Sequence, residues 1–546
     1  MQVSFDVPVP MSDGTVLRAD VQLPAGAGPF PTLLQRVPYD KNAPAIRDGA
    51  LDTTRAVRRG YAVVTQDCRG RFSSDGEFTP FVNEAADGVD TLRWITAQPW
   101  SDGNLGMFGR SYSAFLQWQT AALRPDGLRA IAPMFSGANP ARDWFGGDSA
   151  LEWGFLAFWS LRHLVGDPEL ADAVLYERDR ADLPPPDGAR LGQRAVHRTE
   201  RLADANRDDG DRVGRGSLPS WLAAWLDDER RAAAMAELAA VCRPAADVAV
   251  PALVIAGWFD LFLRGTILAA GPGAGPRELI VGPWPHGGAN PGVFPEFDFG
   301  PAASGAAIGL TDRQLDWFDR WLRSTDDSPR SAATWFHHGR GWMSGSWPPP
   351  QDPLRLFLGA DGTLSDAAGE PGVTPLDYDE ADPTPTLGGT TFLPGLEVAA
   401  NAGPRDQRSL LGRPDVLSWF GDPLADALDI AGNVRCTIAT EAGPGVRWVA
   451  RLVERGPDGR VMLVADGATS TPARAADQAG NAAAQIALGP IAWRFAKGSQ
   501  LGLMLSHTSW PKHRRWITDS ASDTMRKGTS TVRTGPASWL TLGGDA

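Results

Sequence analysis

The chain has 546 residues, a formal net charge of −13 and three cysteines, and 43% of its residues are hydrophobic. This length predicts two or three domains, and the composition is that of a soluble globular protein. The acidic balance and the lack of a Lys/Arg-rich block argue against nucleic acid or an anionic membrane surface as a partner.

Several further classes are disfavoured by what the sequence lacks. No apolar run approaches the roughly 18 residues that a membrane span requires. The start, Met1-Gln-Val-Ser-Phe-Asp, has neither the basic region nor the apolar core of a signal peptide. Three cysteines do not make a disulfide framework and suit a reducing compartment. No His/Cys/Asp cluster has the spacing of metal ligands, so we expect a cytoplasmic enzyme without metal or cofactor.

The first 142 residues alternate between strand-like and helix-like segments. Segments 3–9 and 16–23 flank the turn Ser12-Asp13-Gly14, which is a hairpin signal. Strands are predicted at 31–36, 61–66 and 128–134, of which 61–66 is of the buried type, and a helix is predicted at 85–97. Strands that alternate with helices at this spacing indicate βαβ units and a mostly parallel sheet.

Segment 105–118 has the pattern of a nucleophile elbow. A short apolar run leads into Gly109-Arg-Ser111, and a helical pattern follows. Such a strand, turn and helix lift a serine hydroxyl above the carboxyl edge of a sheet. Small residues at 109, 113 and 114 let strand and helix approach closely. Position 113 is serine where Gly-x-Ser-x-Gly requires glycine, so the elbow alone leaves open an ordinary turn with a surface serine.

The alternation stops at about residue 143 and later returns. Residues 143–240 are rich in Trp, Leu and Ala and read as helical, with a Pro- and charge-rich interruption at 182–187. Strands are predicted again at 251–257 and 277–282. The next element is an amphipathic helix that Thr311 is expected to cap, with one apolar face formed by Leu315, Phe318 and Leu322.

The remaining chain predicts a separate β domain. Pro348-Pro-Pro350 marks a linker, and the following residues are strand-like with many Gly, Pro and Asp turns. We therefore predict an α/β catalytic domain over 1–142 and 241–350. A helical cap is inserted over 143–240, and a β-sandwich covers 351–546.

Two residues qualify as partners of Ser111. An α/β hydrolase orders its triad nucleophile, acid and histidine, each on a loop after a strand. Among the histidines downstream of Ser111 in the α/β region, only His286 follows a clear strand, and the preceding strand ends in Gly257-Trp-Phe-Asp260. His286 would take the serine proton as the oxygen attacks a carbonyl, and Asp260 would orient the imidazole and stabilise the imidazolium. The sequence therefore predicts a Ser111–Asp260–His286 triad.

The tetrahedral oxyanion of such a reaction needs hydrogen-bond donors. The backbone N–H of Tyr112, directly after the nucleophile, is one predicted donor. Tyr39 offers a hydroxyl on the loop after an early strand, although a core tyrosine with a satisfied hydroxyl explains its position equally well.

With these residues in place, the chain resembles the cocaine-esterase-like hydrolases of the X-Pro dipeptidyl-peptidase family. The resemblance runs from about residue 5 to 510, and Ala114 departs from the glycine that the family usually has there. It is carried by Val9-Pro-Met-Ser-Asp-Gly14, Arg36-Val-Pro-Tyr-Asp40, Gln66-Asp-Cys-Arg-Gly-Arg-Phe-Ser-Ser-Asp-Gly-Glu-Phe78, Gly106-Met-Phe-Gly-Arg-Ser-Tyr112, Gly257-Trp-Phe-Asp260, Gly282-Pro-Trp-Pro-His286, Asp406-Gln-Arg408 and Arg413-Pro-Asp-Val-Leu417.

The resemblance implies a fold and a site. The fold is an α/β-hydrolase core with an inserted helical cap and a C-terminal jelly-roll. The implied site is the same triad, with the Tyr39 hydroxyl and the Tyr112 amide as oxyanion hole. Trp144, Trp159 and Phe262 match the family's acyl-pocket aromatics, although a core role for each stays open.

The predicted function is hydrolysis of a small-molecule ester, or less readily an amide, through an acyl-enzyme. An aromatic pocket suits a bulky or aromatic acyl group. Leu261-Phe-Leu263 carries no acidic residue after Asp260 to hold a substrate ammonium, which argues against X-Pro or α-amino-acyl substrates. Asp148 and Glu152 keep that alternative open.

Other functional classes and the assembly state are also left open. An acyltransferase with the same triad is a second alternative. A carbohydrate-binding role of the β-sandwich is a third, which the intact triad disfavours. The sequence does not distinguish a monomer from a homodimer.

Overall fold

The structure is a computed structural model that describes residues 1–146, 150–166, 218–289, 292–323, 333–392, 401–471, 482–515 and 527–544. The predicted interruption at 182–187 and Asp148 lie outside the described residues. The chain divides into two compact units. The first contains Met1–Trp144, Ala236–Gly292 and Phe299–Trp335, and the second contains Phe145–Met235, Val293–Asp298 and Phe336–Ala546.

The strands are numbered in chain order. They are β1 (Gln2–Pro10), β2 (Val16–Leu23), β3 (Phe30–Val37), β4 (Ala62–Asp67), β5 (Ser101–Arg110), β6 (Leu128–Met134), β7 (Ala252–Phe259), β8 (Arg277–Pro285), β9 (Val293–Phe294), β10 (Phe297–Asp298), β11 (Ala333–His337), β12 (Gly341–Gly345), β13 (Leu354–Leu358), β14 (Leu364–Ser365), β15 (Gly372–Asp379), β16 (Leu417–Phe420), β17 (Leu428–Thr440), β18 (Arg447–Arg455), β19 (Val461–Ser470), β20 (Ala482–Phe495), β21 (Gln500–Ser506) and β22 (Lys527–Leu542).

The helices are numbered in the same way. They are α1 (Pro44–Arg47), α2 (Thr53–Arg58), α3 (Glu84–Thr96), α4 (Tyr112–Ala122), α5 (Pro140–Asp143), α6 (Trp153–Phe158), α7 (Ser220–Leu226), α8 (Asp228–Val241), α9 (Leu263–Ala269) and α10 (Leu310–Leu322). A π-helical segment follows α6 at Trp159–Val165, and short 3₁₀ turns lie at Ala245–Asp247, Pro301–Ala303 and Arg408–Leu410.

The first unit is built on one sheet with the strand order β1-β2-β4-β3-β5-β6-β7-β8-β11. β1 and β2 form the predicted antiparallel hairpin, and β2 meets β4 antiparallel. The pairings from β4 through β3, β5, β6, β7 and β8 to β11 are all parallel. The predicted α/β core with a mostly parallel sheet is therefore confirmed. Its parallel strands all present their carboxyl ends at one edge, which is where such sheets place their sites.

Two predicted strands extend further than their apolar runs. β7 is buried along its whole length, as expected for a strand covered on both faces. Its parallel ladder with β8 continues as far as the pair Phe259 and Pro285. Pairing with a neighbour, which no local pattern encodes, therefore brings both strands right up to the loops that carry Asp260 and His286.

The amphipathic helix near residue 311 is present as α10, but the predicted cap is wrong. Leu315, Phe318 and Leu322 are buried on one face, as predicted. The helix begins at Leu310, and its N-cap is Gly309 in the left-handed region at φ 61°, without a side-chain cap. Leu310 is itself buried, so the apolar face begins at the first residue of the helix. Thr311 therefore lies inside the helix and does not cap it.

The second unit is mostly antiparallel sheet. One sheet has the order β14-β13-β22-β17-β20, with β15 also paired to β22, and another has the order β16-β21-β18-β19. This confirms the predicted C-terminal β-sandwich, whereas its jelly-roll connectivity stays a prediction. The described parts of 143–240 contain α6, the π-helical segment, α7 and most of α8, and residues 145–235 belong to this second unit. The predicted domain limits stay predictions.

Cys68, Cys242 and Cys436 are free thiols. Within the described ranges, no helix is long and apolar enough to cross a membrane. No group of three or more His, Cys, Asp or Glu side chains in those ranges is placed to hold a metal ion.

Candidate active site

The backbone at Ser111 has the strained geometry of a nucleophile elbow. Ser111 stands between β5 and α4 with φ 58° and ψ −124°, a conformation that costs a non-glycine residue about 1–3 kcal/mol. Its N–H donates to Met134 O at 2.9 Å. Gly109 has φ 142°, and a Cβ there would lie 2.5 Å from the Cβ of Ser113. The close approach expected from the small residues is therefore real, and it aims the serine hydroxyl out of the sheet edge.

The three residues predicted as a triad meet at this edge. His286 Nε2 lies 2.9 Å from Ser111 Oγ, and His286 Nδ1 lies 2.7 Å from Asp260 Oδ1. Because a carboxylate only accepts, Nδ1 carries the proton and Nε2 is left to accept from the serine hydroxyl. Asp260 is fully buried and His286 is 4% exposed. The low polarity around the pair strengthens the electrostatic support that the carboxylate gives to an imidazolium.

Asp260 is itself held by the turn that follows β7. Its N–H donates to Gly257 O at 3.1 Å, and its Oδ1 accepts the N–H of Phe262 at 3.1 Å. The ring of Phe262 packs edge-on against His286 with the ring centres 4.8 Å apart. The turn therefore fixes the carboxylate and places an aromatic wall beside the imidazole.

Tyr112 is locked in place at the first turn of α4. Its hydroxyl donates to Glu84 Oε1 at 2.9 Å and accepts the Phe81 N–H at 2.7 Å. Burial raises the pKa of the Tyr112 phenol, so it stays protonated and continues to donate. The amide of Tyr112 stands at the helix N-terminus, where backbone N–H groups point out along the positive end of the helix dipole.

The Tyr112 hydroxyl contacts a buried ionic network that was not predicted from the sequence. Arg36, in β3, donates to Glu84 O at 2.7 Å and to Gln66 Oε1 at 2.8 Å, and its Nη2 lies 3.3 Å from Glu84 Oε2. Burial raises the pKa of Glu84, and Arg36 opposes that shift. An arginine within an apolar strand pattern is a sequence signal for a paired buried charge, although it does not name the partner.

Tyr39 follows β3 on the same sheet edge as Ser111, since β3 and β5 are parallel neighbours. Hydrogen bonds hold the turn that contains Tyr39 at residues on both sides of it. Arg71 Nε donates to Pro38 O at 2.7 Å, and the Lys41 N–H donates to Asp67 Oδ1 at 3.0 Å. The phenol lies within electrostatic reach of the Arg71 and Arg110 guanidinium groups.

The three predicted pocket aromatics are distributed over the two units. Trp144 stacks on Phe262 with ring centres 4.6 Å apart, and both side chains are buried. Trp144 also contacts Phe81, Phe115 and Tyr112. Trp159 belongs to the second unit, where it stacks on Phe155 at 5.6 Å. The first unit therefore joins Trp144 and Phe262 to the triad, and the substrate role of all three stays a prediction.

The sequence matches two related family descriptions. Residues 13–288 match the X-Pro dipeptidyl-peptidase (S15 family). Residues 326–537 match the X-Pro dipeptidyl-peptidase C-terminal non-catalytic domain.

Individual proteins resemble the chain over most of its length. A cocaine esterase of Rhodococcus sp. (strain MB1 Bresler) is 34% identical over 487 residues, which cover 85% of this chain and 82% of that protein. A putative serine esterase of Mycobacterium bovis is 24% identical, with 84% of this chain and 79% of that protein covered.

Solved structures share the fold. The structure of an α-amino acid ester hydrolase superposes with a TM-score of 0.74 at 21% identity, covering 99% of this chain and 96% of that one. An aminopeptidase of a Thaumarchaeota archaeon gives a TM-score of 0.72 at 19% identity, covering 99% and 96%. At these identities the likeness is one of fold alone. The family match and the cocaine esterase relative together show that the chain belongs to the S15 family of X-Pro dipeptidyl-peptidases.

Proposed function

We propose that the protein hydrolyses a carboxylic ester of a small molecule with a bulky or aromatic acyl group, through an acyl-enzyme on Ser111. The chain is a carboxylic ester hydrolase of the serine type with an α/β-hydrolase core. One observation most strongly supports an acyl-enzyme on Ser111. Ser111 Oγ, His286 Nε2, His286 Nδ1 and Asp260 Oδ1 form one continuous hydrogen-bonded chain, with steps of 2.9 and 2.7 Å.

Each step of the reaction has a group to perform it. Ser111 Oγ attacks the ester carbonyl while its proton moves to His286 Nε2. His286 then returns that proton to the departing alkoxide, so an alcohol leaves and an acyl group stays on Ser111. A water molecule repeats the sequence, giving its proton to Nε2 and its oxygen to the acyl carbon. Free carboxylic acid leaves and Ser111 regains the proton.

The preference for an apolar acyl group rests on the side chains next to the imidazole. Phe262 and Trp144 form an aromatic wall there, and Leu261-Phe-Leu263 supplies no carboxylate directly after Asp260. A substrate ammonium would lose its hydration at such a wall without gaining an opposite charge, which is unfavourable. Similarity to a cocaine esterase also supports an ester substrate. X-Pro and α-amino-acyl compounds are therefore included as competing substrates in the experiment that follows.

A substrate panel with acyl trapping tests the function. We expect aryl and alkyl esters with benzoyl-type acyl groups to give higher kcat/KM than matched amides, X-Pro dipeptides and α-amino-acid esters. Acid quenching during turnover of a slow ester should leave an acyl adduct on the peptide that contains Ser111. Faster cleavage of X-Pro substrates, or an adduct on another peptide, would contradict the proposal. Formation of a new ester when an alcohol is added would identify an acyltransferase.

A separate prediction concerns the Tyr39 hydroxyl as the second oxyanion donor, beside the Tyr112 amide. Tyr39→Phe removes one oxygen, so the fold and KM should be retained while kcat falls about 10²–10³-fold, the usual loss for one oxyanion donor. Steady-state kinetics on an activated aryl ester measures this.

Tyr61→Phe is the matched control for that prediction. Tyr61 precedes β4, at the sheet edge opposite Ser111, and its hydroxyl donates to Asp319 at 2.6 Å. This variant should change Tm and leave kcat unaltered. A Tyr39→Phe enzyme with the parental kcat would mean that the second donor lies elsewhere.

A further inference from the structure

The side chain of Arg110 connects three segments around the site. Arg110 is the last residue of β5 and directly precedes Ser111. Its Nη1 donates to Gly287 O at 2.6 Å, and its Nη2 donates to Ala45 O at 3.3 Å. Gly287 directly follows His286, and Ala45 lies in α1, a few residues after Tyr39. One side chain therefore links the nucleophile strand to the loop that carries the base and to the segment behind Tyr39.

The electrostatic setting of Arg110 is unusual for an arginine. In the part of the chain that the structure describes, its hydrogen-bond acceptors are two backbone carbonyls, and it forms no ion pair with a carboxylate. Burial lowers the pKa of Arg110, and the Tyr39 phenol opposes that shift. A guanidinium remains charged under such conditions. Partial burial of this charge without a counter-ion is unfavourable for the stability of the fold. We therefore look for a catalytic role of its contact with the His286 loop.

Within the described residues, the backbone of the loop after His286 forms few hydrogen bonds, one of which is the Gly305 N–H to Ala289 O at 3.2 Å. His286 is followed by Gly287 and Gly288, which have no side chains, and Gly288 has φ 136°, in the region that favours glycine. The Gly288 N–H reaches Pro285 O at 3.3 Å, close to the limit for a hydrogen bond. The bond from Arg110 is shorter and charge-assisted, which makes it a strong type of hydrogen bond.

We propose that Arg110 is a positioning residue that holds the His286 loop in register with Ser111 and thereby keeps Nε2 aligned with Oγ. This inference rests on the proposed function. His286 must take a proton from Ser111 and deliver it to the leaving group without drifting. A misplacement of about 1 Å can cost about 100-fold in rate.

Arg110→Met tests the proposal, because it keeps an extended apolar side chain and removes every donor. We expect kcat to fall by about 10- to 100-fold with little change in KM or in Tm. Arg110→Lys retains one charged donor and should recover part of the lost rate. Arg93→Met is the matched control, since Arg93 is 73% exposed in its side chain and pairs with Asp90. It should match the parent enzyme.

Chemical rescue separates positioning from a merely structural role. Adding ethylguanidinium to Arg110→Ala at millimolar concentration should raise kcat, because the small cation can occupy the space and donate to Gly287 O. Unchanged kcat in Arg110→Met would overturn the proposal, as would a lowered Tm in Arg110→Ala without rescue. A raised KM at parental kcat would also overturn it, because it would place Arg110 against the substrate. If Ser111→Ala stays active, the proposed function itself fails, independently of these results.

Discussion

Ser111→Ala is expected to lower kcat for ester hydrolysis by about 10⁶-fold, the loss typical of removing a serine nucleophile. Ser111 Oγ is the atom that forms the acyl bond in the proposed reaction, and His286 Nε2 lies 2.9 Å away, where it can take the hydroxyl proton. A fluorophosphonate probe should label the parent enzyme and leave the variant unlabelled. Initial rates at high enzyme concentration and intact-mass measurement check both results.

Ser113→Ala is the matched control for this change. Ser113 lies two residues further along α4 and is buried, so its replacement alters helix packing without touching the triad. It should retain labelling and kcat even if Tm shifts. Full esterase activity in Ser111→Ala, with Ser113→Ala behaving as the parent, would identify another residue as the nucleophile.

Asp260→Asn is expected to lower kcat by about 10⁴-fold while the protein stays folded. The substituted amide has nearly the same size, but it removes the buried negative charge 2.7 Å from His286 Nδ1 and offers an N–H that favours the wrong imidazole tautomer. Kinetics with an activated ester, with Tm measured in parallel, separates a catalytic loss from unfolding.

Asp316→Asn provides the comparison for Asp260→Asn. Asp316 lies in α10 with a side chain that is 66% exposed and paired with Arg59. Exposed ion pairs contribute between zero and about 1 kcal/mol, so this variant should keep its kcat. An Asp260→Asn enzyme within tenfold of the parent would mean that a different group orients the imidazole.

The buried network below Tyr112 could not have been read from the chain. It joins Arg36 to Glu84 across 48 residues and Glu84 to Tyr112 across 28 residues. Arg110 and Gly287 are separated by 177 residues. A charged residue within an apolar segment indicates that a buried charge must be paired. Which residue pairs with it depends on the side chains that the packed core brings into contact. The start of α10 at Gly309 and the place of Trp159 in the second unit depend on packing in the same way.

The meeting of Ser111, Asp260 and His286 at one sheet edge, in contrast, was predicted from the sequence alone. Ser111, Asp260 and His286 each follow a strand whose apolar run is a local signal, and parallel strands bring all their carboxyl ends to one sheet edge. Three loops at one edge, in the order serine, acid and histidine, are therefore encoded without any knowledge of contacts. What the tertiary structure alone decided is the precision of that meeting. The Ser111–His286 hydrogen bond of 2.9 Å and the His286–Asp260 hydrogen bond of 2.7 Å join residues that are 175 and 26 positions apart, and both form only when the segments that carry these residues pack together.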